Sequence, residues 1–171
     1  MNDLVSIITP TFNSADFIEE TIRSVKDQTH QNWEMLITDD GSTDDTVTII
    51  KGYAKADHRI KLFELRENSG SAVARNNSIR PARGKYHAFL DADDIWFDYH
   101  LKDSIYAIKK HKCPFVFASY KRSDENLDFI HSDFIVPEKV VYTDILKTNS
   151  ISCLTAFVDV ETLGKEQMPL I

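Results

Sequence analysis

Short apolar runs alternate with longer amphipathic stretches along the chain as far as Tyr120. The short runs are rich in β-branched and aromatic residues and are bounded by polar residues, which is typical of strands buried on both faces. The longer stretches repeat apolar residues every three or four positions, as helices with one buried face do. The pattern predicts five strands, at 4–8, 33–37, 60–64, 86–90 and 115–120, and four helices, at 14–28, 44–54, 71–79 and 98–111.

The order of these elements predicts the fold class. Strands alternate with helices, and a strand–helix–strand unit joins parallel strands by a right-handed crossover. We therefore predict a single α/β domain over residues 1–171, with a mostly parallel central sheet and helices on both faces. Beyond Tyr120 the pattern weakens. Residues 121–133 are polar and indicate a loop, while a helix at 143–147 and a strand at 151–160 are expected to close the domain.

Composition and charge argue against several kinds of partner. The net charge of −7 disfavours nucleic-acid binding, which needs a basic surface. The amino-terminal residues have neither a basic segment nor an apolar run long enough for a signal sequence or a membrane span, so we predict a cytoplasmic protein. The two cysteines and six histidines lack metal-ligand spacing. Cys113 is expected to be a buried free thiol, and His87, His100 and His111 are expected to be structural or solvated.

Polar residues cluster where the predicted strands end. In an open parallel sheet, ligands bind beyond the carboxyl ends of the strands. The first strand is followed by Thr-Pro-Thr-Phe-Asn at 9–13, the second by Asp-Asp-Gly-Ser-Thr-Asp at 39–44, and the fourth by Asp-Ala-Asp-Asp at 91–94. Two acidic segments that are distant in sequence are therefore expected to meet at one edge of the sheet.

The acidic residues at this edge admit two interpretations. Aspartates at strand ends often cap helices and tie turns, and Asp44 is expected to do so. Asp91, Asp93 and Asp94 cannot all be caps, and a bound Mg²⁺ or Mn²⁺ ion completed by phosphate and water would relieve their mutual repulsion. From the residues alone the metal and the structural interpretations stay open, and for Asp94 the alternative is a cap on the next helix.

Four motifs, taken in order, resemble those of the family 2 glycosyltransferases, which have the GT-A fold. They are Val-Ser-Ile-Ile-Thr-Pro-Thr-Phe-Asn at 5–13, the acidic segment 39–44, Asn-Ser-Gly with Ala-Arg-Asn within 68–76, and Leu-Asp-Ala-Asp-Asp at 90–94. A lone D-x-D is common by chance, but this ordered set across most of residues 4–100 is specific. The resemblance implies inverting, divalent-metal-dependent transfer of a sugar from a nucleotide-sugar donor, expected to be a UDP-sugar.

The resemblance also implies roles for individual residues of the donor site. The base pocket would be lined by Pro10 and Phe12. Asp39 would accept a hydrogen bond from the base, with Asp40 supporting it. The full set implied to bind the nucleotide sugar is Pro10, Thr11, Phe12, Asn13, Asp39, Asp40, Arg75, Asp91 and Ala92.

The same resemblance implies a metal site and an acceptor. Asp93 would ligate the Mn²⁺ or Mg²⁺ ion that bridges the diphosphate, with Asp91 and Asp94 as further candidates. The acceptor would be a carbohydrate or a lipid-linked glycan, with 149–155 facing it. By family analogy the full-length protein would associate peripherally with the inner face of the membrane.

The catalytic base is not among these residues. Family members place the carboxylate that deprotonates the acceptor well beyond the D-x-D segment, and 163–171 resembles the stretch just upstream of it. We therefore expect the base and part of the acceptor site to lie beyond Ile171. Asp159 and Glu161 are candidates for a substitute, but we expect both to be solvated residues at a strand end and a helix start.

Three alternatives belong to other functional classes. A sugar-1-phosphate nucleotidyltransferase would need a glycine-rich basic loop after the first strand, where residues 9–13 provide none. A receiver-like signalling module would need an acidic pair after the first strand and a lysine after the fifth. Lys121 fits the second requirement, but the acidic pair is missing. A binding-only domain would keep the nucleotide-sugar site without catalysis, and the sequence alone does not separate it from an enzyme.

Overall fold

In the described part of the chain, a mixed sheet of six strands forms the centre of the molecule. The computed structural model describes residues 3–124, 127–141, 143, 151–165 and 167–169. The strands are β1 (Val5–Thr11), β2 (Trp33–Asp39), β3 (Ile60–Glu64), β4 (Tyr86–Phe89), β5 (Phe115–Val116) and β6 (Phe157–Asp159). The helices are α1 (Ile18–Lys26), α2 (Thr46–Ala56), α3 (Ser71–Ile79), α4 (His100–His111) and α5 (Val160–Leu163), with a 3₁₀ helix at Cys153–Thr155.

The strand order is β3-β2-β1-β4-β6-β5. The pairs β3–β2, β2–β1 and β1–β4 are parallel, so the predicted mostly parallel sheet is confirmed for this half. The chain runs outward from β1 to β3 and then returns to place β4 on the other side of β1. This reversal is where open α/β sheets bind ligands. Thr11 pairs with Asp39, so β1 and β2 end level with one another.

The other half of the sheet differs from the sequence prediction. β6 lies antiparallel between β4 and β5, so β5 does not pair with the parallel strands. The predicted strand 115–120 is only two residues long, because Tyr120 pairs with Phe134 instead of with the sheet. The predicted strand 151–160 divides into the 3₁₀ helix, β6 and the start of α5. Apart from Thr143, the predicted helix at 143–147 lies outside the described residues.

Helices cover both faces of the sheet, as predicted. On one face α1, α2 and α4 bury Ile22, Ile50 and Leu101 against strand residues such as Ile7 and Met35. On the other face α3 contributes Ile79 to a smaller cluster that includes Ile8, Leu36 and Phe89. Burial of apolar side chains on both faces is what a strand without polar alternation requires, and every residue of β1 and β2 is buried.

A buried carboxylate lies near the amino ends of β1 and β2. Glu34 Oε1 accepts hydrogen bonds from Ser6 Oγ and the Arg83 backbone N–H, both at 2.8 Å. Its Oε2 accepts from Lys61 Nζ at 2.8 Å and from the Arg83 guanidinium at 3.2 Å. A Cβ atom at the adjacent Gly84 would lie 2.5 Å from Ser6 N, so no side chain fits there. This cluster links β1 to β2 at the amino edge of the sheet, opposite the candidate site.

The expectations for the cysteines and the polar segment are partly confirmed. Both cysteines are free, but Cys113 is exposed, so the prediction of a buried thiol is wrong; its Sγ donates to the Phe115 carbonyl at 3.1 Å.

Part of the segment predicted as a loop forms two antiparallel arms, 120–124 and 127–134, joined by bridges from Tyr120 to Phe134 and from Ser123 to Phe129. Among the described residues, no helix has the length and hydropathy needed to span a membrane.

Candidate functional site

A cleft of about 370 Å³ lies at the carboxyl edge of the sheet, where the order of the strands reverses. Its walls come from the ends of β1, β2 and β4, from the loop before α3, and from the first turns of α3. The residues lining it are Pro10, Thr11, Phe12, Ser14, Asp40, Asn68, Gly70, Ser71, Ala74, Arg75, Asp91, Ala92 and Asp93. Seven of the nine residues predicted to bind the nucleotide sugar are thus brought together, and Asn13 and Asp39 are not in this lining.

Asn13 ties two loops together instead of lining the cleft. Its backbone N–H donates to Ser42 Oγ at 2.9 Å, and its side-chain Oδ1 accepts from the Thr43 N–H at 2.8 Å. Its φ of 48° is a left-handed conformation that asparagine tolerates better than most residues. Asn13 therefore fixes the end of β1 against segment 39–44, and in doing so it positions the neighbouring Phe12, whose side chain is 44% exposed.

The two adjacent aspartates after β2 have different surroundings. Asp39 turns back into its own loop, where its carboxylate accepts from the Gly41 and Ser42 N–H groups at 3.1 and 2.9 Å and from the Ser42 hydroxyl. Asp40 lines the cleft, although it is buried to 3% exposure. The geometry therefore favours Asp40 over Asp39 as the aspartate that a ligand in this cleft would meet.

Asp40 also shapes the opposite wall. Its two carboxylate oxygens accept hydrogen bonds from the Ser69 and Gly70 backbone N–H groups, each at 2.8 Å. Gly70 has a φ of 93°, a conformation that glycine adopts without strain, and it directly precedes α3. Asp40 thus holds the loop that begins α3 and, through it, the position of Arg75.

Arg75 and Asp91 form an ion pair across the cleft. Arg75 Nη2 lies 2.5 Å from Asp91 Oδ1, and Nη1 donates to Ser71 Oγ at 3.2 Å. The Arg75 Nε is buried without a hydrogen-bond partner, so this guanidinium has unused capacity toward a ligand. A cation here offsets part of the negative charge that Asp40, Asp91 and Asp93 give to the cleft.

The turn after β4 presents its aspartates in different directions. Thr21 Oγ1 donates to the buried Ala92 carbonyl at 2.9 Å, which ties the turn to α1, and the Asp94 N–H donates to the Asp91 carbonyl at 3.2 Å. Asp93 is exposed, and within the described residues no hydrogen bond or ion pair engages its carboxylate. Among the three aspartates, Asp93 is therefore the one best placed to ligate a cation.

Asp94 does not cap the following helix. α4 begins at His100, and its capping position, Tyr99, provides no side-chain hydrogen bond. The capping alternative for Asp94 is therefore wrong. Burial, followed by the nearby charges of Asp93 and Asp91, raises the pKa of the Asp94 carboxyl to about 6. Asp94 lies away from the first cleft and lines a second one.

The donor set fits a divalent cation that is bound together with phosphate. Among the described residues, no group of three or more histidine, cysteine, aspartate or glutamate side chains could hold a metal ion by itself. Mg²⁺ is usually held by one or two carboxylates, with substrate phosphates and water completing its shell. Asp93, with Asp91 two residues away, matches that pattern.

The remaining candidates have structural roles. Asp44 accepts from Thr46 N and Oγ1 and from Ala15 N; burial would raise the pKa of its carboxyl, but these hydrogen bonds lower it overall. Asp159 Oδ1 accepts from the Glu161 and Thr162 backbone N–H groups of α5 at 3.1 and 3.3 Å. Asp159 is buried, so the expectation that it is solvated is wrong. Glu161 is exposed and lies 3.4 Å from Lys85. His87 is buried and His100 is half-buried, and desolvation of the imidazole lowers the pKa of each to about 4.

Comparison with a protein-family model identifies the family to which this chain belongs. The model described as "Glycosyl transferase family 2" matches residues 6–157. The chain belongs to glycosyl transferase family 2. Its sequence is 46% identical, over 98% of its length, to a protein of Bacillus subtilis (strain 168) named putative teichuronic acid biosynthesis glycosyltransferase TuaG. It is 37% identical, again over 98% of its length, to the Escherichia coli protein WfgD, named UDP-Glc:alpha-D-GlcNAc-diphosphoundecaprenol beta-1,3-glucosyltransferase.

The family 2 chain spans about two thirds of the length of both relatives, 67% of TuaG and 65% of WfgD. Among solved structures it is similar to S. aureus TarS 1-349 in complex with UDP, at 25% identity and a TM-score of 0.75, with 96% of this chain and 50% of that chain covered. It also shares its fold with the mannosyltransferase PcManGT from Pyrobaculum calidifontis, at 24% identity and a TM-score of 0.75, with 99% and 48% covered. These likenesses confirm the predicted fold class.

Proposed function

We propose that residues 1–171 form the single nucleotide-sugar-binding domain of an enzyme that transfers a sugar from a UDP-sugar to a glycan or lipid-linked acceptor, with inversion and with Mn²⁺ or Mg²⁺. The observation that carries this proposal is the composition of the first cleft. Its lining has Asp40 after β2 on one side of β1, and Asp91 and Asp93 with Arg75 at the end of β4 on the other side, while the exposed ring of Phe12 follows β1 itself. We assign the base to the end with Phe12 and Asp40 and the diphosphate to the end with Asp93.

The base end is assigned to Phe12, Pro10 and Asp40. An aromatic face at the mouth of a cleft stacks on any nucleobase, so it contributes affinity without choosing the base. A buried carboxylate accepts only from a donor, and uracil presents its N3–H as one. Asp40 takes this role because it lines the first cleft, whereas Asp39 turns back into its own loop. TarS, to which this chain is structurally similar, has been solved in complex with UDP and with UDP-GlcNAc.

Replacing Phe12 by alanine is expected to weaken UDP binding about tenfold or more, because base–aromatic stacking contributes roughly 1–3 kcal/mol per base. Phe17 provides a matched control, since its side chain is 40% exposed compared with 44% for Phe12, and it lies outside the first cleft. Calorimetric titration of UDP into the two variants measures the difference. If Phe12→Ala, Phe17→Ala and the unaltered protein bound UDP with equal affinity, the base would not stack on Phe12.

The diphosphate end is assigned to Arg75, Asp91 and Asp93. As the acceptor oxygen bonds to the anomeric carbon, the bond from that carbon to the diphosphate oxygen breaks, its electron pair leaves with UDP, and the acceptor proton passes to a base. A divalent cation, when bound, neutralises the charge that grows on the leaving diphosphate. Asp93 would hold that cation, Asp91 would reach the ribose or sugar, and Arg75 would lie beside the phosphates with its unused Nε–H.

The names of two relatives support a proposal for the acceptor. The name of WfgD includes a sugar joined by diphosphate to undecaprenol, and the name of TuaG includes teichuronic acid biosynthesis. We therefore propose a carbohydrate or lipid-linked glycan acceptor, and a cytoplasmic protein that works peripherally at the inner face of the membrane. The cleft is not proposed to bind nucleic acid, since the chain carries a net charge of −7.

A transfer assay tests the proposal and separates it from a binding-only domain. The full-length protein is incubated with a panel of UDP-sugars, Mn²⁺ and a short glycan acceptor, and the release of UDP is followed. Nuclear magnetic resonance of the product then reports the configuration at the new anomeric centre. Release of UDP with an inverted product supports the proposal. Binding of UDP-sugar without any release would leave a binding domain, and a product with retained configuration would contradict inversion.

A further inference from the structure

Asn76, a buried residue of α3, uses both ends of its side-chain amide to hold a distant part of the chain. Its Nδ2 donates to the Met168 carbonyl at 2.9 Å, and its Oδ1 accepts from the Met168 N–H at 2.7 Å. These two hydrogen bonds, the Asn76–Met168 pair, satisfy both polar groups of one backbone residue, as a neighbouring strand would. They join α3 to a residue 92 positions later in the chain.

The side chain at position 76 has to be an amide for this pair to form. An amide carries a donor and an acceptor on one planar group, whereas an ionised aspartate only accepts and leucine does neither. Asn76 is 2% exposed, so an amide without partners there would be costly. Asparagine is also a poorer helix former than leucine, so the helix itself does not favour it. The pair therefore accounts for an asparagine at this position of α3.

Segment 167–169, to which Met168 belongs, forms neither a helix nor a strand. Gln167 and Pro169 are exposed, while Met168 is half-buried against the smaller of the two core clusters. The position of this segment is therefore set at Met168, by the apolar contact of its side chain and by the hydrogen bonds of its backbone to Asn76.

The contacts of the chain with α3 show the direction in which it runs. Lys165 Nζ donates to the Ala82 carbonyl, which follows the carboxyl end of α3. Met168, three residues later, contacts Asn76, which is the residue next to Arg75 of the first cleft. The chain therefore advances along α3 from its carboxyl end towards the diphosphate end of the first cleft.

Each carboxylate that lines the first cleft has another role. Asp40 holds the loop before α3, and Asp91 is in an ion pair. Asp93 is proposed to ligate the cation. The base that takes the acceptor proton is therefore sought outside this cleft, and the family resemblance places it beyond Ile171. With the base there, the position of segment 167–169 decides from which point the base approaches the donor.

We propose that Asn76 is a positioning residue for the transfer step. Through the Asn76–Met168 pair it fixes segment 167–169 beside Arg75, and in this way it sets the place of the base that follows the segment. This inference rests on the proposed function, and it adds to it a residue that acts through the backbone of another. A misplacement of about 1 Å can slow a reaction about a hundredfold, so loss of the pair is expected to slow transfer while the donor still binds.

The test compares Asn76→Leu with Asn77→Leu in the full-length protein. Asn76→Leu removes both hydrogen bonds and keeps a side chain of similar size. Asn77 is the next residue of α3, and it is a matched control because it lies outside the lining of the first cleft and its Nδ2 donates to Thr38 Oγ1 instead, at 3.3 Å. Met168→Pro removes the N–H from the segment and leaves α3 unaltered, so it tests the pair even if Asn76→Leu does not fold.

Three measurements are made on each variant. Hydrogen exchange at the Met168 amide reports the pair directly, and it is expected to be faster in Asn76→Leu than in Asn77→Leu. The kcat of sugar transfer is expected to fall about tenfold or more in Asn76→Leu and in Met168→Pro. The Kd for UDP with Mn²⁺ is expected to stay unchanged in all three variants. A purely structural role in α3 would weaken UDP binding as well, since α3 carries Arg75.

The outcomes distinguish this inference from the proposed function. A lower kcat with unchanged UDP binding in Asn76→Leu and Met168→Pro supports the inference. If Asn76→Leu has the same kcat as Asn77→Leu, or if it loses UDP binding as strongly as it loses kcat, the inference is wrong and the proposed function stands. If the unaltered full-length protein transfers no sugar, the proposed function is contradicted and the inference falls with it.

Discussion

Replacing Asp93 by asparagine is expected to lower the rate of sugar transfer about a thousandfold, with loss of most of the Mn²⁺ dependence of UDP-sugar binding. Asp93 is the exposed carboxylate of the first cleft, and none of the described residues engages it. Stabilising the charge on a leaving diphosphate contributes several kcal/mol to the transition state, and each 1.36 kcal/mol changes the rate about tenfold. The measurement is the rate of UDP release as a function of Mn²⁺ concentration.

The control for Asp93 is another exposed carboxylate. Asp103, in the first turn of α4, lies outside both clefts, so Asp103→Asn changes the net charge equally without touching the site. We expect its rate and its Mn²⁺ dependence to match those of the unaltered protein. If Asp93→Asn behaved in the same way as Asp103→Asn, Asp93 would have no role in binding the cation.

Replacing Glu34 by glutamine is expected to destabilise the fold by about 2–3 kcal/mol. Burial alone would raise the pKa of the Glu34 carboxyl, but hydrogen bonds from Lys61, the Arg83 backbone and Ser6 outweigh it and lower the pKa from 4.5 to about 2. A unit of pKa corresponds to 1.36 kcal/mol, and the exposure of Lys61 and Arg83 to solvent reduces the total somewhat. Urea unfolding at neutral pH measures the difference.

The pH dependence of stability gives an independent check on Glu34. Because its pKa is lower in the folded state, the carboxylate stabilises the fold above about pH 4.5, and this contribution is lost as the pH falls towards 2. The gap between the unaltered protein and Glu34→Gln should therefore shrink over that range. Glu64→Gln is the control, since Glu64 pairs with Lys51 at the surface and should cost at most about 1 kcal/mol. Equal costs for both variants would contradict the account of the buried cluster.

The helices and strands of the parallel half could be predicted because the hydrophobic periodicity that marks each one lies within its own short segment of sequence. Hydrophobic periodicity placed β3 at 60–64 and α3 at 71–79, as the structure has them. The carboxyl-terminal half was harder, since β6 enters the sheet between β4 and β5 by long-range pairing, which no local pattern encodes. The helix α1 begins at Ile18 rather than at Ser14, because residues 14–17 form the turn that positions Ser14 at the cleft.

The site was predictable to the level of segments and less so to the level of side chains. Strand ends in a parallel sheet meet at one edge, which brought residues 9–13, 39–44 and 91–94 together. The sequence did not show which of Asp39 and Asp40 faces the cleft, because adjacent side chains at a strand end point in opposite directions. The pairing of Arg75 with Asp91 also depends on where α3 lies against β4, and only the structure provides that.

Family membership decides between the functional classes that the sequence left open. A match to glycosyl transferase family 2 over residues 6–157 argues against a nucleotidyltransferase and against a receiver-like module. The base end of the cleft agrees, because Pro10, Thr11 and Phe12 stand where a nucleotidyltransferase would need a glycine-rich basic loop. A binding-only domain is separated from an enzyme by the assay for UDP release.

Calorimetric titration of UDP, GDP and ADP, each with and without Mn²⁺, tests the central claim most directly. In the proposed site, Asp40 accepts a hydrogen bond from uracil, and a cation bound by Asp93 holds the diphosphate. We predict that UDP binds tightly only with Mn²⁺ present, and that GDP and ADP bind at least tenfold more weakly. Equal binding of the three nucleotides would contradict the role of Asp40, and UDP binding that is unchanged without Mn²⁺ would contradict the role of Asp93. If none of the three nucleotides binds, the assignment of the first cleft as a nucleotide-sugar site is wrong.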